Sequence, residues 1–233
     1  MCYNPTVSLL TAIIEFCLSA IIVFKYKFSK TKNYFAVLIF VLGFYQFTEF
    51  MLCQSDAPQL WAKIGFITYT FLPAIALHIT AKYFKLRLHW SLIYLLPICY
   101  GIYAAVTSGF ILSGACSTIF IFVHNILFEQ SNILLSIAYY LYALYYAGFI
   151  IISCAIFIKN FSREKKSKKR IAYLALPLGV ILMSVPTFIL LIIFPAFQVV
   201  FPSALCHFAL LLALTAFIGV KADDDHERLI AGK

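Results

Sequence analysis

The chain has 233 residues, of which 64% are hydrophobic and only 12% are charged, and its formal net charge is +9. A soluble domain carries about a quarter charged residues, so this composition excludes an ordinary soluble globular protein. Continuous apolar runs recur along the chain, each close to the roughly 20 residues that cross a bilayer as an α-helix. A membrane β-barrel would instead alternate over about ten residues. The sequence therefore predicts an all-α membrane protein.

Seven apolar runs predict a bundle of seven transmembrane helices. The runs are Val7–Phe24, Tyr34–Leu52, Leu60–Tyr83, Trp90–Thr107, Ile133–Ile158, Ile171–Phe194 and Val199–Val220. We predict a seven-helix transmembrane domain over residues 1–221, followed by a short cytoplasmic tail over residues 222–233. Met1–Thr6 lacks the basic segment of a cleavable signal peptide, so the first run is predicted to be retained.

Basic residues predict the orientation of this bundle. Of the 18 lysines and arginines, all but Lys63 follow the first, third, fifth or seventh run. Positively charged loops stay in the cytoplasm, so the N-terminus is predicted outside and the C-terminus in the cytoplasm. The densest basic group, Arg163–Arg170, is predicted to lie beside anionic lipid of the bilayer rather than to bind nucleic acid.

The long connection Ser108–Asn132 is predicted on the outer side. It is too apolar to hang in water, and Phe120–Val123 has strand character, so we expect a hairpin or lid over the bundle. The alternative is a re-entrant segment around Ile119–Phe128, which is too short to span as a helix. Cys53 and Cys116 both fall on the outer side, which permits a disulfide, but spacing alone does not establish its geometry.

Ionisable side chains inside the runs are candidate functional residues, because each costs about 2.5–3.5 kcal/mol at the centre of a membrane helix. On the first run, Ser8, Thr11, Glu15 and Ser19 have the spacing of one helix face, which we expect to line the bundle interior. The depths of the other ionisable side chains then allow four residues to converge on one outward-facing ligand pocket: Glu15, Glu49, Lys63 and His207. The alternative is a set of interhelical hydrogen bonds with no ligand, of which a Glu49–Lys63 ion pair is the plainest form.

Tyrosines and prolines mark the remaining candidates. Tyr139 and Tyr142 share a face of the fifth run with Tyr146. Core packing or an interfacial belt is the first interpretation, and lining of a ligand cavity is the alternative. Structural roles, either in kinks or in packing, are predicted for Pro73, His78, Pro177 and Pro186, because a proline within a helix frees a backbone carbonyl.

Neither a cofactor nor an enzymatic activity is predicted. Glu and His side chains can ligate zinc, but His78 and His207 differ in depth and no close pair of ligands lies on one helix. No nucleophile–base pair emerges either, so a metal-dependent membrane enzyme is the weakest option. The seventh run has no lysine before Lys221, which excludes a retinal Schiff base on that helix.

One stretch of the sequence resembles a known family. The segments Tyr45–Glu49 (YQFTE), Leu60–Phe66 (LWAKIGF) and Phe71–Ile79 (FLPAIALHI) resemble the N-terminal seven-helix sensor region of bacterial histidine kinases. The resemblance implies a multi-pass sensor in a bacterial cytoplasmic membrane that passes a signal to a cytoplasmic output domain. Only Lys221–Lys233 follow the last run, so we expect a stand-alone or truncated relative that signals through a cytoplasmic partner or a homodimer.

The predicted function is therefore a membrane-embedded sensor or receptor for an external or lipid-borne small ligand. The rival is a small proton-coupled transporter that uses Glu15 and Glu49 as protonation sites. An odd number of runs and the lack of an inverted repeat argue against it. The acidic stretch Asp223–Glu227 is predicted to be a solvated terminus, with a docking surface as the alternative.

Overall fold

The computed structural model describes residues 5–116, 121–129, 132–193 and 208–232. The described helices are α1 (Pro5–Lys25), α2 (Lys32–Gln54), α3 (Pro58–Thr70), α4 (Leu72–Tyr83), α5 (Trp90–Val106), α6 (Ile126–Glu129), α7 (Ile133–Arg163), α8 (Ser167–Ile193) and α9 (Ala209–Ile230). The strands β1 (Ile111–Cys116) and β2 (Ile121–Asn125) pair as one antiparallel hairpin between α5 and α6.

Five helical segments of the described chain are long and apolar enough to cross a membrane: Thr6–Lys25, Lys32–Gln54, Pro58–Tyr83, Ile133–Arg163 and Ser167–Pro186. The outward side of α7 shows the same character, since Ile133 is 81% exposed and Leu144 is 71% exposed. Large apolar side chains exposed along a whole helix face suit a lipid environment. The predicted all-α fold is confirmed, and these helices are consistent with the predicted membrane protein. Seven crossings and their orientation stay predictions.

The helix boundaries follow the apolar runs closely except in the third and seventh. The third run divides into α3 and α4 beside Pro73, which has no N–H to continue the hydrogen-bond ladder. In contrast, α8 continues through Pro177 and Pro186, so these prolines do not end a helix. The outer part of the seventh run, residues 199–207, lies outside the described residues, and α9 continues past the predicted end at Val220 to Ile230.

One core joins α1, α2, α8 and α9. Small residues allow α8 and α9 to approach closely, because Gly219 lies against Ala175 and leaves no room for a side chain. Close approach through small residues is the usual basis of helix packing in membranes, where van der Waals contact replaces the hydrophobic driving force.

A second core joins α3, α5, α7 and the base of the hairpin. Phe66 and Phe110 are fully buried there, with ring centroids 4.7 Å apart. Because β1 and β2 pair as an antiparallel hairpin, the predicted hairpin is confirmed. The re-entrant alternative is wrong, because Ile121–Asn125 forms a strand that pairs with β1. A disulfide joins Cys53 at the end of α2 to Cys116 in β1, with the two Cα atoms 5.8 Å apart, which fastens the hairpin to the bundle.

The α8–α9 contact yields a stability prediction. A Cβ atom at position 219 would lie 2.5 Å from the Ala175 Cβ. Gly219→Ala should therefore overpack this interface and destabilise the protein by about 1–3 kcal/mol, as other insertions into full cores do. Thermal unfolding in detergent measures the loss.

Gly148→Ala is the matched control, because a Cβ there meets nothing within 4 Å. Alanine also has the better helix propensity, by about 1 kcal/mol, so this variant should be neutral or more stable. Equal destabilisation by both substitutions would show that the α8–α9 packing is not the cause.

Candidate functional site

The first helix presents a polar face to the bundle interior, as predicted. Ser8, Glu15 and Ser19 are buried, with Thr11 partly buried beside them. The Ser19 hydroxyl donates a 2.8 Å hydrogen bond to the Ala36 carbonyl of α2, which fixes the register between the first two helices. The helical spacing of three and four residues explains why these positions share one face.

Glu15 is the least expected group on this face. It is 0% exposed, and within the described part of the chain neither of its carboxyl oxygens has a hydrogen-bond partner. Opposite it on α2 is Gly43, where a Cβ atom would lie 3.1 Å from the Glu15 Cβ. A glycine at this point lets α1 and α2 close over the carboxyl group. A buried polar group without a partner is costly, so its retention calls for an explanation.

Glu49 lies on the same helix as Gly43, six residues further along, which is about 9 Å of helix rise. It is 4% exposed. Lys63 does not approach it: its ammonium donates to the carbonyl oxygens of Thr107, at 3.0 Å, and Ala105, at 3.5 Å. The predicted Glu49–Lys63 ion pair is therefore wrong, since within the described residues no salt bridge joins the two. Lys63 instead satisfies carbonyls at the end of α5, where helices lack internal donors.

The predicted four-residue pocket is not assembled by the described residues. Lys63 faces the end of α5, whereas Glu15 lies in the contact between α1 and α2. His207, the fourth predicted member, lies outside the described residues. Glu15 is thus the member whose environment the structure defines most fully.

Two tyrosines of α7 form hydrogen bonds at the interruption between α3 and α4. The Tyr145 hydroxyl donates a 2.6 Å hydrogen bond to the Thr70 carbonyl, and the Tyr142 hydroxyl lies 3.0 Å from the Thr70 hydroxyl. Tyr142 is buried among aromatic rings. Tyr139 is only partly buried, and its ring meets the Tyr140 ring edge to face with the centroids 5.5 Å apart. Tyr142 therefore packs in the core, and Tyr145, which the sequence did not single out, makes the decisive contact.

The end of α9 carries a buried acidic pair. The amides of Phe28 and Ser29 donate to Asp224 Oδ1 at 2.6 and 3.0 Å. The hydroxyls of Ser29 and Tyr83 donate to Asp223 Oδ2 and Oδ1, each at 2.6 Å. We call this group the acid clamp: Asp223 and Asp224 of α9, with Phe28, Ser29 and Tyr83. It joins the α1–α2 loop, the end of α4 and the end of α9 at one end of the bundle.

The acid clamp corrects two predictions about the C-terminal stretch. Asp223 is 7% exposed and Asp224 is 2% exposed, so they are neither a solvated terminus nor a docking surface. Residues 222–230 continue α9 without a break, and the predicted cytoplasmic tail over residues 222–233 stays a prediction. Their burial is stable because each carboxylate accepts two hydrogen bonds, and hydrogen bonds to charged groups are the stronger kind.

His78 is held at the same end of the molecule. Its Nδ1 lies 2.9 Å from the Tyr94 hydroxyl of α5, and its ring contacts the rings of Tyr34 and Trp90, with centroid distances of 5.1 and 4.8 Å. The predicted packing role of His78 is thus a link between α2, α4 and α5. Among the described residues no three His, Cys, Asp or Glu side chains lie close enough to hold a metal ion.

Comparison with protein-family models, with curated proteins and with solved structures finds no match to this chain. The resemblance to the histidine kinase sensor region therefore stays a prediction from the segments between Tyr45 and Ile79.

The acid clamp can be tested by side-chain removal. Asp224→Ala strands two N–H groups, one of them buried, and a buried donor left without a partner costs about 1–3 kcal/mol. We expect a clear loss of thermal stability in detergent.

Asp225→Ala is the matched control, with the same change of charge on the same turn of α9. The Asp225 Oδ2 atom lies 3.7 Å from the Lys168 Nζ atom. Both side chains are about half exposed, Asp225 at 40% and Lys168 at 48%. Such pairs contribute about 0–1 kcal/mol. Equal losses in the two variants would show that net charge, and not the hydrogen bonds of the clamp, sets the stability.

Proposed function

We propose that this protein is a membrane-embedded sensor module, in which a small ligand acts on α1 near Glu15 and the change is delivered to the acid clamp. The observation that carries the proposal is the Glu15 carboxyl group, which is fully buried and has no hydrogen-bond partner among the described residues. Ionisable groups at such depth mark functional sites by default. A neutral acid there offers both a donor and an acceptor to a ligand.

The closed packing around Glu15 supports a two-state mechanism. Glu15 is fully buried and Gly43 brings α2 against its side chain, so a separation of α1 from α2 would open the carboxyl group to a ligand. A ligand that binds the separated arrangement more tightly shifts the population toward it. The neighbouring positions are apolar and buried, with Ala12 one turn before Glu15 on α1 and Leu42 next to Gly43 on α2, which favours a largely apolar ligand that carries one hydrogen-bonding group.

The acid clamp supports a route from this site to the cytoplasm. Glu15 lies ten residues from Lys25 at the end of α1, a distance of about 15 Å along a rigid helix. The chain then enters the loop whose Phe28 and Ser29 amides are held by Asp224. A shift of α1 against α2 would therefore pull on the end of α9, from which a cytoplasmic partner or output domain would receive the signal.

The two ends of the bundle support an orientation with the N-terminus outside and the C-terminus in the cytoplasm. The basic clusters come to the clamp end, where Lys168 pairs with Asp225 and Lys82 lies over Trp90. The opposite end carries the Cys53–Cys116 disulfide, which suits an oxidising compartment. We therefore infer seven crossings, with α5 and the apolar run Val199–Val220 of the sequence among them. The histidine kinase resemblance supports placing it in a bacterial cytoplasmic membrane.

The orientation is testable with reporter fusions. Reporters placed after Lys32, Arg87 and Lys168 should behave as cytoplasmic, and a reporter placed after Asp56 should behave as external, because basic loops remain inside. Enzymatic reporters that are active on only one side of the membrane give the readout. A cytoplasmic signal at Asp56 would overturn the seven-crossing arrangement.

Coupling between Glu15 and the acid clamp can be measured with a substitution that forces α1 and α2 slightly apart. Gly43→Ala adds a Cβ atom 3.1 Å from the Glu15 Cβ and from the Phe16 ring, which should shift α1 slightly from α2. We expect hydrogen exchange at the Phe28 and Ser29 amides to accelerate about fivefold or more. A fivefold change is the lower end of the typical coupling between two sites. In the control Gly101→Ala, the added Cβ makes only ordinary contacts of 3.7 Å or more, so the rates should be unchanged. Unchanged exchange in Gly43→Ala would contradict the coupling.

A proton-coupled carrier is the second candidate, favoured by the same buried carboxyl group. The two functions separate in proteoliposomes under an imposed pH gradient, because Glu15→Gln keeps the shape of the side chain but cannot release a proton. A sensor should show no proton flux above empty liposomes in either form. Strong flux in the wild type that the substitution abolishes would reject the sensor and establish the carrier.

A further inference from the structure

A small cavity lies between α4 and the start of α5, apart from both Glu15 and the acid clamp. Its volume is about 50 Å³, and its walls include His78, Ala81 and Lys82 of α4 and Trp90 of α5. One water needs about 10–15 Å³ of such volume, so the cavity is large enough for a compact polar group. We call it the α4–α5 niche.

One cation lines the niche, and two more follow it in the chain. Lys82 places its ammonium 4.7 Å from the centre of the Trp90 ring, and within the described residues it forms no salt bridge. Lys85 and Arg87 follow in the same connection, and the sequence between Asp56 and Glu129 contains no acidic residue. These cations therefore have no carboxylate of their own segment to neutralise them, and an anion at the niche would gain their attraction.

Two further groups favour an anion. The first turn of α5 begins at Trp90 and has no side-chain cap on its amides. Exposed amides at a helix N-terminus attract negative charge. His78, which is 7% exposed, uses Nδ1 with Tyr94, while its Nε2 has no hydrogen-bond partner among the described residues. A buried donor or acceptor without a partner calls for an explanation, and this one belongs to a side chain in the wall of the niche.

We propose that the α4–α5 niche binds a phosphate group, supplied by the head group of an anionic phospholipid. The exposed side chains of Leu86 and Leu88, which line the niche itself, provide an apolar surface for the acyl chains of the same lipid. Basic pockets between membrane helices near the cytoplasmic face suit lipid phosphates, since each basic residue gains about 1 kcal/mol from anionic lipid. The site requires that the helices span a membrane, but it does not depend on the sensor role of Glu15.

The test is native mass spectrometry of the full chain in detergent, with phosphatidylglycerol or phosphatidylcholine added in equal amounts. We expect a clear preference of the wild type for phosphatidylglycerol. Lys82→Gln keeps the carbon chain but removes the charge at an exposed position, and should weaken phosphatidylglycerol binding about fivefold. Ala81→Leu fills the niche without changing any charge and should weaken it as well.

Lys159→Gln is the matched control, since Lys159 is an exposed lysine at the end of α7 and lies outside the niche. It should leave the affinity within about twofold of the wild type. Equal losses in Lys82→Gln and Lys159→Gln would reduce the effect to general surface charge and overturn the proposal, as would the lack of any lipid preference. A second arm adds millimolar inorganic phosphate: displacement of phosphatidylglycerol by phosphate, dependent on Lys82, confirms the phosphate chemistry and identifies the free ion as a competing source.

Discussion

The hydrogen bonds from the Phe28 and Ser29 amides to Asp224 are the contact on which the rest of the structure depends. They join residues 195 positions or more apart in the chain, and so fix the last helix against the first two. Asp223 extends the contact to α4 through Tyr83. In a bilayer the helices gain little from further burial of apolar surface. Polar contacts such as those of the acid clamp can therefore decide how the helices are arranged.

The acid clamp is also connected along the chain to the buried carboxyl group of α1. Glu15 lies in a contact closed by Gly43, and the same helix leads into the loop that Asp224 holds. The opposite end of the bundle is fastened differently, by the Cys53–Cys116 disulfide and by Lys63 on the carbonyls of α5. A bundle fixed covalently at one end and by hydrogen bonds at the other has its adjustable end at the clamp, because hydrogen bonds exchange with water far more readily than a disulfide breaks.

Individual residues show which parts of the candidate site can be predicted from the sequence. The burial of Glu15 followed from helical periodicity, since Ser8 and Ser19 lie on the same face and an isolated carboxyl group avoids lipid. The sequence predicts the wrong partner for Lys63, because a long flexible side chain reaches several acceptors and depth alone does not choose between them. The sequence pattern predicts solvated side chains for Asp223 and Asp224, because the amides and hydroxyls that accommodate them come from the distant α1–α2 loop and from α4. The one sequence signal was an acidic run at an otherwise basic end of the chain.

The sequence by itself determined the all-α class, most helix positions, the polar face of α1 and the hairpin, because each depends on local periodicity or on apolar length. Only the tertiary structure decided the acid clamp, the contacts of Tyr145 with Thr70 and the pairing of Cys53 with Cys116. The physical reason is that burial of a polar group is favourable only when a partner stands within hydrogen-bond distance. That distance is set by how the helices pack, which the pattern of residues along one helix does not contain.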